Sequence, residues 1–207
     1  MRTYGGVRVD QRRAERRERL LEAALAEFTS TGYQATKIAT LCRRAGVSTR
    51  NFYEEFAAKE DLLLTLHGRI NELAMARVSG VVAGLGADIG PAGRIGALVD
   101  AFVATVTGDP RLPRLNYVEA VGVSPRLERQ HQEWVLRWAE FIGAEAAQAA
   151  QQGFAPARDY RLTAIALVGA VTGLLREWQA RTPPWPVAEI AAEIKGVMLA
   201  AIMREPG

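Results

Sequence analysis

GYQATKIATLCRRAGVSTRNFYEEFAAKEDL, residues Gly32 to Leu62, is the stretch whose reading decides the fold. A short helical pattern of Ile38, Leu41 and Cys42 runs into Ala45-Gly46-Val47, and a second begins at Ser48. Only a tight turn fits between them, which makes the pair a helix-turn-helix. In such a motif the first helix braces the second, and the N-terminal end of the second enters the major groove of DNA. Gly46 stands where the chain turns with positive φ, a conformation free of cost only for glycine. Val47 is an apolar plug beneath the turn, and Ser48 is the expected N-cap of the second helix. Phe52 and Phe56, four apart, point to the core, whereas Thr49, Arg50 and Tyr53 project from the opposite side.

The pattern Gly32-Tyr33, Thr36, Ile38, Ala45-Gly46-Val47-Ser48, Phe52-Tyr53, Phe56, Lys59-Glu60 and Leu62 resembles the DNA-binding segment of the tetracycline-repressor (TetR) family of bacterial transcription regulators. The resemblance covers roughly residues 15 to 65 and rests on many spaced positions at once. It implies phosphate contacts at Thr36, Tyr53 and Lys59 and a place in the groove for Thr49, Arg50 and Asn51. Lys37 and Ser48, at the two helix starts, complete the candidate DNA-binding set. Arg50 is the candidate base reader, because arginine pairs bidentately with guanine; a phosphate contact or plain solvent are its alternatives. Two details depart from the family pattern. Ala57-Ala58 replaces a polar cap before the lysine, and Glu54 and Glu55, repelled by phosphates, are expected to face away or to pair with Arg43 or Arg44.

Outward from the motif, residues 1 to 60 hold 12 Lys and Arg against 8 Asp and Glu, and the remainder 14 against 15. The positive excess of this 207-residue chain therefore sits with the motif. Met1 to Val9, with Gly5-Gly6 and no helical period, reads as an arm. Arg12, Arg13, Arg16, Arg17 and Arg19 follow, then Leu21, Ala24, Leu25 and Phe28 at helical spacing. Two readings of these arginines are open: a solvated face with Glu15, Glu18 and Glu22 as neighbours, or contact with phosphates or a minor groove. Gly32 stops this helix, Thr36 is expected to cap the next, and Lys59 opens a fourth that runs through Leu62, Leu66, Ile70, Leu73 and Ala74 to about Val78. The boundary between residues 1–62 and 63–207 thus lies inside a helix, which can carry a shift between domains. Ser79 to Gly93 is glycine-rich and reads as a connection or a frayed end.

The second domain also reads as helices. Ile95, Leu98, Val99, Phe102, Val103 and Val106 form one apolar face, Leu112 to Val121 a short helix, and Ser124-Pro125 opens a long one to about Gln152. Leu162 to Trp178 is apolar nearly all round, and Val187 to Ile202 carries a regular stripe. The expected class is all-α: a three-helix head carrying the motif and a C-terminal helical ligand-binding and dimerisation domain. Ala166, Gly169, Ala170 and Gly173 offer close helix approach, and a helix apolar on every side needs partners on every side. One chain could bury it, but the resemblance implies a homodimer paired through a four-helix bundle, and such a dimer reads a near-palindromic double-stranded operator.

Phe102, Asn116, Tyr117, Glu119, His131, Trp134, Trp138 and Trp178 place aromatic surface and a few polar groups in this domain. Singly, each aromatic reads as core. Asn116 and Glu119 beside buried rings need partners. The resemblance implies a chamber for an apolar or amphipathic small-molecule effector that releases a repressor from DNA. A regulator without a small ligand, or an all-helical enzyme or carrier using the chamber, are the competing readings. Catalysis has little support: His67, His131 and Cys42 cannot assemble a metal cluster, no phosphate-binding glycine loop or nucleophile elbow occurs, and no cofactor is expected. The longest apolar run, Leu162 to Leu175, is shorter than the roughly 20 residues that span a bilayer. With no secretory signal pattern and one cysteine, the expected location is cytoplasmic, with no membrane partner.

Overall fold

The structure, a computed structural model, describes residues 4–86 and 89–204, with side chains from residue 10 onward. All regular secondary structure among the described residues is helical, and no helix there is long and apolar enough to cross a membrane. The chain separates into two compact units, Met1–Arg69 and Ile70–Gly207, each with its own core.

The first unit contains α1 (Tyr4–Ser30), α2 (Ile38–Ala45), α3 (Thr49–Glu55) and the opening turns of α4 (Lys59–Ala83). Helix begins at Tyr4, so the expected arm is corrected over residues 4–9; Met1 to Thr3 lie outside the described residues. Extending an existing helix costs far less than nucleating one, so Gly5-Gly6 weaken the first turn without preventing it. Leu20, Leu21, Ala24 and Phe28 on α1 are buried, as are Leu41 on α2 and Phe52 on α3. Phe52 and Phe56 stack obliquely, 6.2 Å between ring centroids.

Local chemistry sets the motif's bends. Gly46 adopts φ 63° and its N–H donates to the Arg43 carbonyl, while the Val47 N–H donates to the Cys42 carbonyl at 2.9 Å. This left-handed C-cap satisfies carbonyls that the end of α2 would otherwise expose. Ser48 Oγ accepts from the Asn51 N–H at 3.1 Å and caps α3. The start of α2 differs from expectation: Lys37 is its N-cap residue and supplies no side-chain cap, whereas the Thr36 hydroxyl donates to the Gly32 carbonyl at 2.7 Å. Thr36 is buried, and its hydroxyl is engaged by the preceding turn instead of by the helix start. At α4, Asp61 Oδ2 accepts from the Ala58 N–H at 2.9 Å. This return half of a capping box compensates for the missing polar residue at Ala57-Ala58.

In the second unit α4 continues to Ala83, past the expected end near Val78, burying Ile70, Ala74, Val78 and Val82 along one stripe. Then come α5 (Pro91–Thr107), α6 (Arg111–Arg114), α7 (Pro125–Gln151), α8 (Arg161–Ala180) and α9 (Val187–Met203). The short helix expected over Leu112 to Val121 is α6 running into a π-helical turn, Leu115–Glu119, closed by the Ala120 N–H donating to the Leu115 carbonyl at 3.0 Å. Its wider turn lets the consecutive Asn116 and Tyr117 both face inward. Helix α7 packs on α8, and α9 packs on α5 and α8. Ser124 Oγ caps α7 through the Leu127 N–H at 3.2 Å.

Candidate functional site

Helix α3 presents two unlike faces. Phe52 is fully buried, whereas Thr49, Arg50 and Tyr53 are exposed, and the Arg50 side chain retains 88% of its accessible surface. Lys37 is exposed at the start of α2, Ser48 acts as the α3 cap, and Asn51 is half-buried behind it. Thr36 and Lys59 instead turn inward. Lys59 Nζ donates to the carbonyls of Tyr33 at 2.7 Å, Thr36 at 2.8 Å and Gln34 at 3.3 Å, and lies 4.3 Å from the centroid of the Tyr33 ring. Its ammonium is a staple for the loop before α2, and burial lowers its pKa from the ordinary lysine value.

The arginines of α1 have an account outside both sequence readings. Glu55, whose side chain keeps 1% exposure, pairs with Arg16 at 2.7 Å and Arg13 at 3.2 Å. Arg17 donates to the Glu55 carbonyl at 3.0 Å and stacks 4.1 Å from the Phe56 ring centroid; Arg19 donates to the Ala45 carbonyl at 3.1 Å. These cations clamp the C-terminal ends of α3 and α2, where exposed carbonyls favour positive charge. The expected partners of Glu54 and Glu55 are thereby corrected: Glu54 meets Arg16 and Arg50, and Arg44 pairs with Glu27. Burial raises the Glu55 pKa, but the hydrogen bonds and charges of Arg16 and Arg13 outweigh it and hold the carboxyl below its ordinary range. Cys42 is buried, and burial raises its thiol pKa against a hydrogen bond with Thr49, the profile of an inert core thiol.

The second unit contains a partly open cavity of about 60 Å³. Of the residues singled out in the sequence, Phe102, Asn116, Tyr117, His131, Trp134 and Trp138 line it. Glu119 and Trp178 do not. Glu119 pairs with Arg114 at 3.2 Å, because the π turn that sends Asn116 inward rotates Glu119 elsewhere, and Trp178 Nε1 donates to the Trp185 carbonyl at 2.9 Å within the core. Asn71 and Thr172 are polar wall residues that sequence reading missed. Asn71 had a signal, a polar residue inside the apolar stripe of α4. Asn71 Nδ2 donates to Asn116 Oδ1 at 3.0 Å, and Trp138 Nε1 approaches Asn71 Oδ1 at 3.5 Å. Burial keeps the Tyr117 hydroxyl protonated far above the usual tyrosine range, with a hydrogen bond to Asn116 acting in the opposite direction.

A capped helix-turn-helix with an exposed polar reading face, on a chain whose other unit is helical and contains an aromatic cavity, defines a DNA-binding transcriptional regulator of the helix-turn-helix class. Residues 20–66 match the model of the bacterial regulatory proteins, tetR family. The match runs from the second half of α1 through the opening turns of α4. It is 27% identical over 196 residues to the HTH-type transcriptional regulator TcmR of Streptomyces glaucescens, covering 86% of this chain and 80% of that protein. Its fold is similar to a TetR-family regulator from Syntrophomonas wolfei, with TM-score 0.78 at 19% identity over 92% of this chain and 96% of that one. It is also similar to the regulator FadR of Bacillus subtilis solved in complex with stearoyl-CoA, with TM-score 0.76 at 14% identity over 89% and 98% of the two chains.

Proposed function

We propose that the protein is a homodimeric, cytoplasmic repressor that binds a near-palindromic DNA operator through α3 and leaves it when an apolar or amphipathic small molecule occupies the cavity of the second unit. The observation that carries the effector reading is the cavity itself, a space walled by aromatic rings and carrying a hydrogen-bonded amide pair inside a regulator. That FadR of Bacillus subtilis holds stearoyl-CoA supports the reading, since the two chains share a fold. In this reading Arg50 reads bases, Thr49 and Asn51 lie in the groove, and Lys37, Ser48 and Tyr53 position the backbone. Thr36 and Lys59 contribute by shaping the loop. The functional division falls between residues 62 and 63, within α4, and the protein is a regulator and not an enzyme, as its named relatives are.

Dimerisation is supported by the outward side of α8. Leu162, Ile165, Ala166, Gly169, Ala170 and Gly173 are all exposed in the single chain. A second copy would bury this smooth apolar surface. Release requires that the effector bind one conformation better than the other, because equal affinity shifts nothing.

The test begins with selection of bound sequences from random duplexes, followed by polarisation binding at several salt concentrations. Enrichment of a near-palindrome and a steep salt slope are expected. Compounds are then screened for those that both raise the thermal midpoint and weaken operator binding. Recovery of no preferred sequence refutes the DNA reading; a preferred operator with no compound active in both assays refutes the effector reading.

A further inference from the structure

Glu54 stands in the middle of a chain of charges that runs from α1 to the reading face of α3. Its Oε1 lies 3.5 Å from Arg50 Nε, and its Oε2 lies 3.6 Å from Arg16 Nη2. The same Arg16 nitrogen donates at 2.7 Å to Glu55, whose side chain keeps only 1% exposure and also accepts from Arg13. Signs alternate outward from the buried end: Glu55, Arg16, Glu54, Arg50. Side-chain exposure rises along the same path, 22% at Arg16, 46% at Glu54 and 88% at Arg50.

The stability of α3 does not account for the outer pair. An exposed i,i+4 ion pair contributes little to a helix, and less when the cation precedes the carboxylate, as Arg50 precedes Glu54. A partly exposed carboxylate beside a DNA-reading arginine also repels phosphates and so lowers general affinity for the duplex. What it can raise is discrimination.

The contact geometry supplies the means. Arginine has five donors in a planar fork, one on Nε and two on each terminal nitrogen. Glu54 approaches Arg50 at Nε, which leaves Nη1 and Nη2 for parallel hydrogen bonds to guanine O6 and N7. Without that carboxylate the long side chain is free to swing to a phosphate, a contact that carries no sequence information. With it, a phosphate drawn to Arg50 meets the charge of Glu54 as well. Arg16, itself fixed by buried Glu55, limits how far Glu54 can follow Arg50 away from the helix.

We propose that Glu54 is a positioning residue for base reading: held by Arg16, it occupies the Nε side of Arg50 and turns the terminal edge of that arginine from phosphate to guanine. This rests on Arg50 as the base reader. Glu54 acts through Arg50 and touches no base itself.

The test measures polarisation binding of the full chain to three duplexes at several salt concentrations. They are the selected operator, the same operator changed at the base pair whose preference Arg50→Ala relaxes, and a scrambled duplex. Discrimination is the ratio of the first two affinities. Glu54→Gln removes the charge with little change of shape and should lower that ratio about threefold, within the range of an exposed ion pair. The scrambled duplex should be bound more tightly, with a salt slope steeper by about one ion per protomer. In the Arg50→Ala background the same substitution should leave the ratio unchanged, a non-additivity that a merely structural role does not produce. Hydrogen exchange of the first unit should match the wild type. An unaltered ratio in Glu54→Gln overturns the inference, as does an equal loss in the Arg50→Ala background or an accelerated exchange that assigns the loss to folding. In each of these outcomes Arg50→Ala still relaxes its base pair and the reader assignment stands. If Arg50→Ala relaxes no base pair, the reader assignment itself fails and this inference falls with it.

Discussion

Replacing Lys59 by methionine keeps an unbranched apolar stem and removes the ammonium. Three carbonyls lose their donor: Tyr33 at 2.7 Å, Thr36 at 2.8 Å and Gln34 at 3.3 Å. A hydrogen bond to a charged group contributes about 1.5–3 kcal/mol. The long bond to Gln34 adds little, and the site is only partly buried, so the two short ones belong at the low end of that range. The contact with the Tyr33 ring adds about 0.5–1 kcal/mol. The expected loss is therefore about 3.5–4 kcal/mol in the first unit. Lys59→Arg should recover little of it, because a planar fork cannot converge on carbonyls grouped around an ammonium. All four tryptophans, at 134, 138, 178 and 185, lie in the second unit, so their emission does not report this change. Amide hydrogen exchange of residues 34–41 does, and should accelerate several hundredfold, roughly the equivalent of that energy. A phosphate role for Lys59 gives a different result: unchanged exchange, and a salt dependence of DNA binding reduced by about one ion. Observation of that pair of results refutes the staple.

Glu55 gives a pH-dependent counterpart. Its folded pKa lies below the ordinary 4.5, so between those values the unfolded chain binds more protons. The stabilisation is complete above the ordinary glutamate range and fades as pH falls through the folded value; Glu55→Gln should flatten that acid limb in first-unit hydrogen exchange. Gly46→Ala meets no atom within 4 Å but must adopt φ 63°, so it should destabilise the motif by about 1 kcal/mol in the same measurement. Arg50→Ala should relax selection at particular base positions, at about 1–3 kcal/mol, and an unchanged selected sequence removes Arg50 as the reader. Leu162, 78% exposed on α8, should lose self-association when changed to Glu, with sedimentation shifting from two copies to one.

The sequence by itself determined the features whose causes lie within a few residues. Gly46 turns the chain, Ser48 caps α3, and Phe52 and Phe56 fall on one face because helical spacing puts them there. Long-range pairing was beyond it. Arg16 meets Glu55 and Lys59 reaches back to Tyr33 only because the helices pack with those side chains converging. A cation in a linear sequence reads equally as a phosphate ligand, a solvated charge or an internal clamp. In the second unit most of the chamber's aromatic wall was legible from residue type. Tertiary structure decided that Asn71 joins it while Glu119 and Trp178 do not. The physical reason is rotation about helix axes: the π turn sends two successive residues inward and moves Glu119 out of register, a geometry that the ordinary 3.6-residue period does not encode.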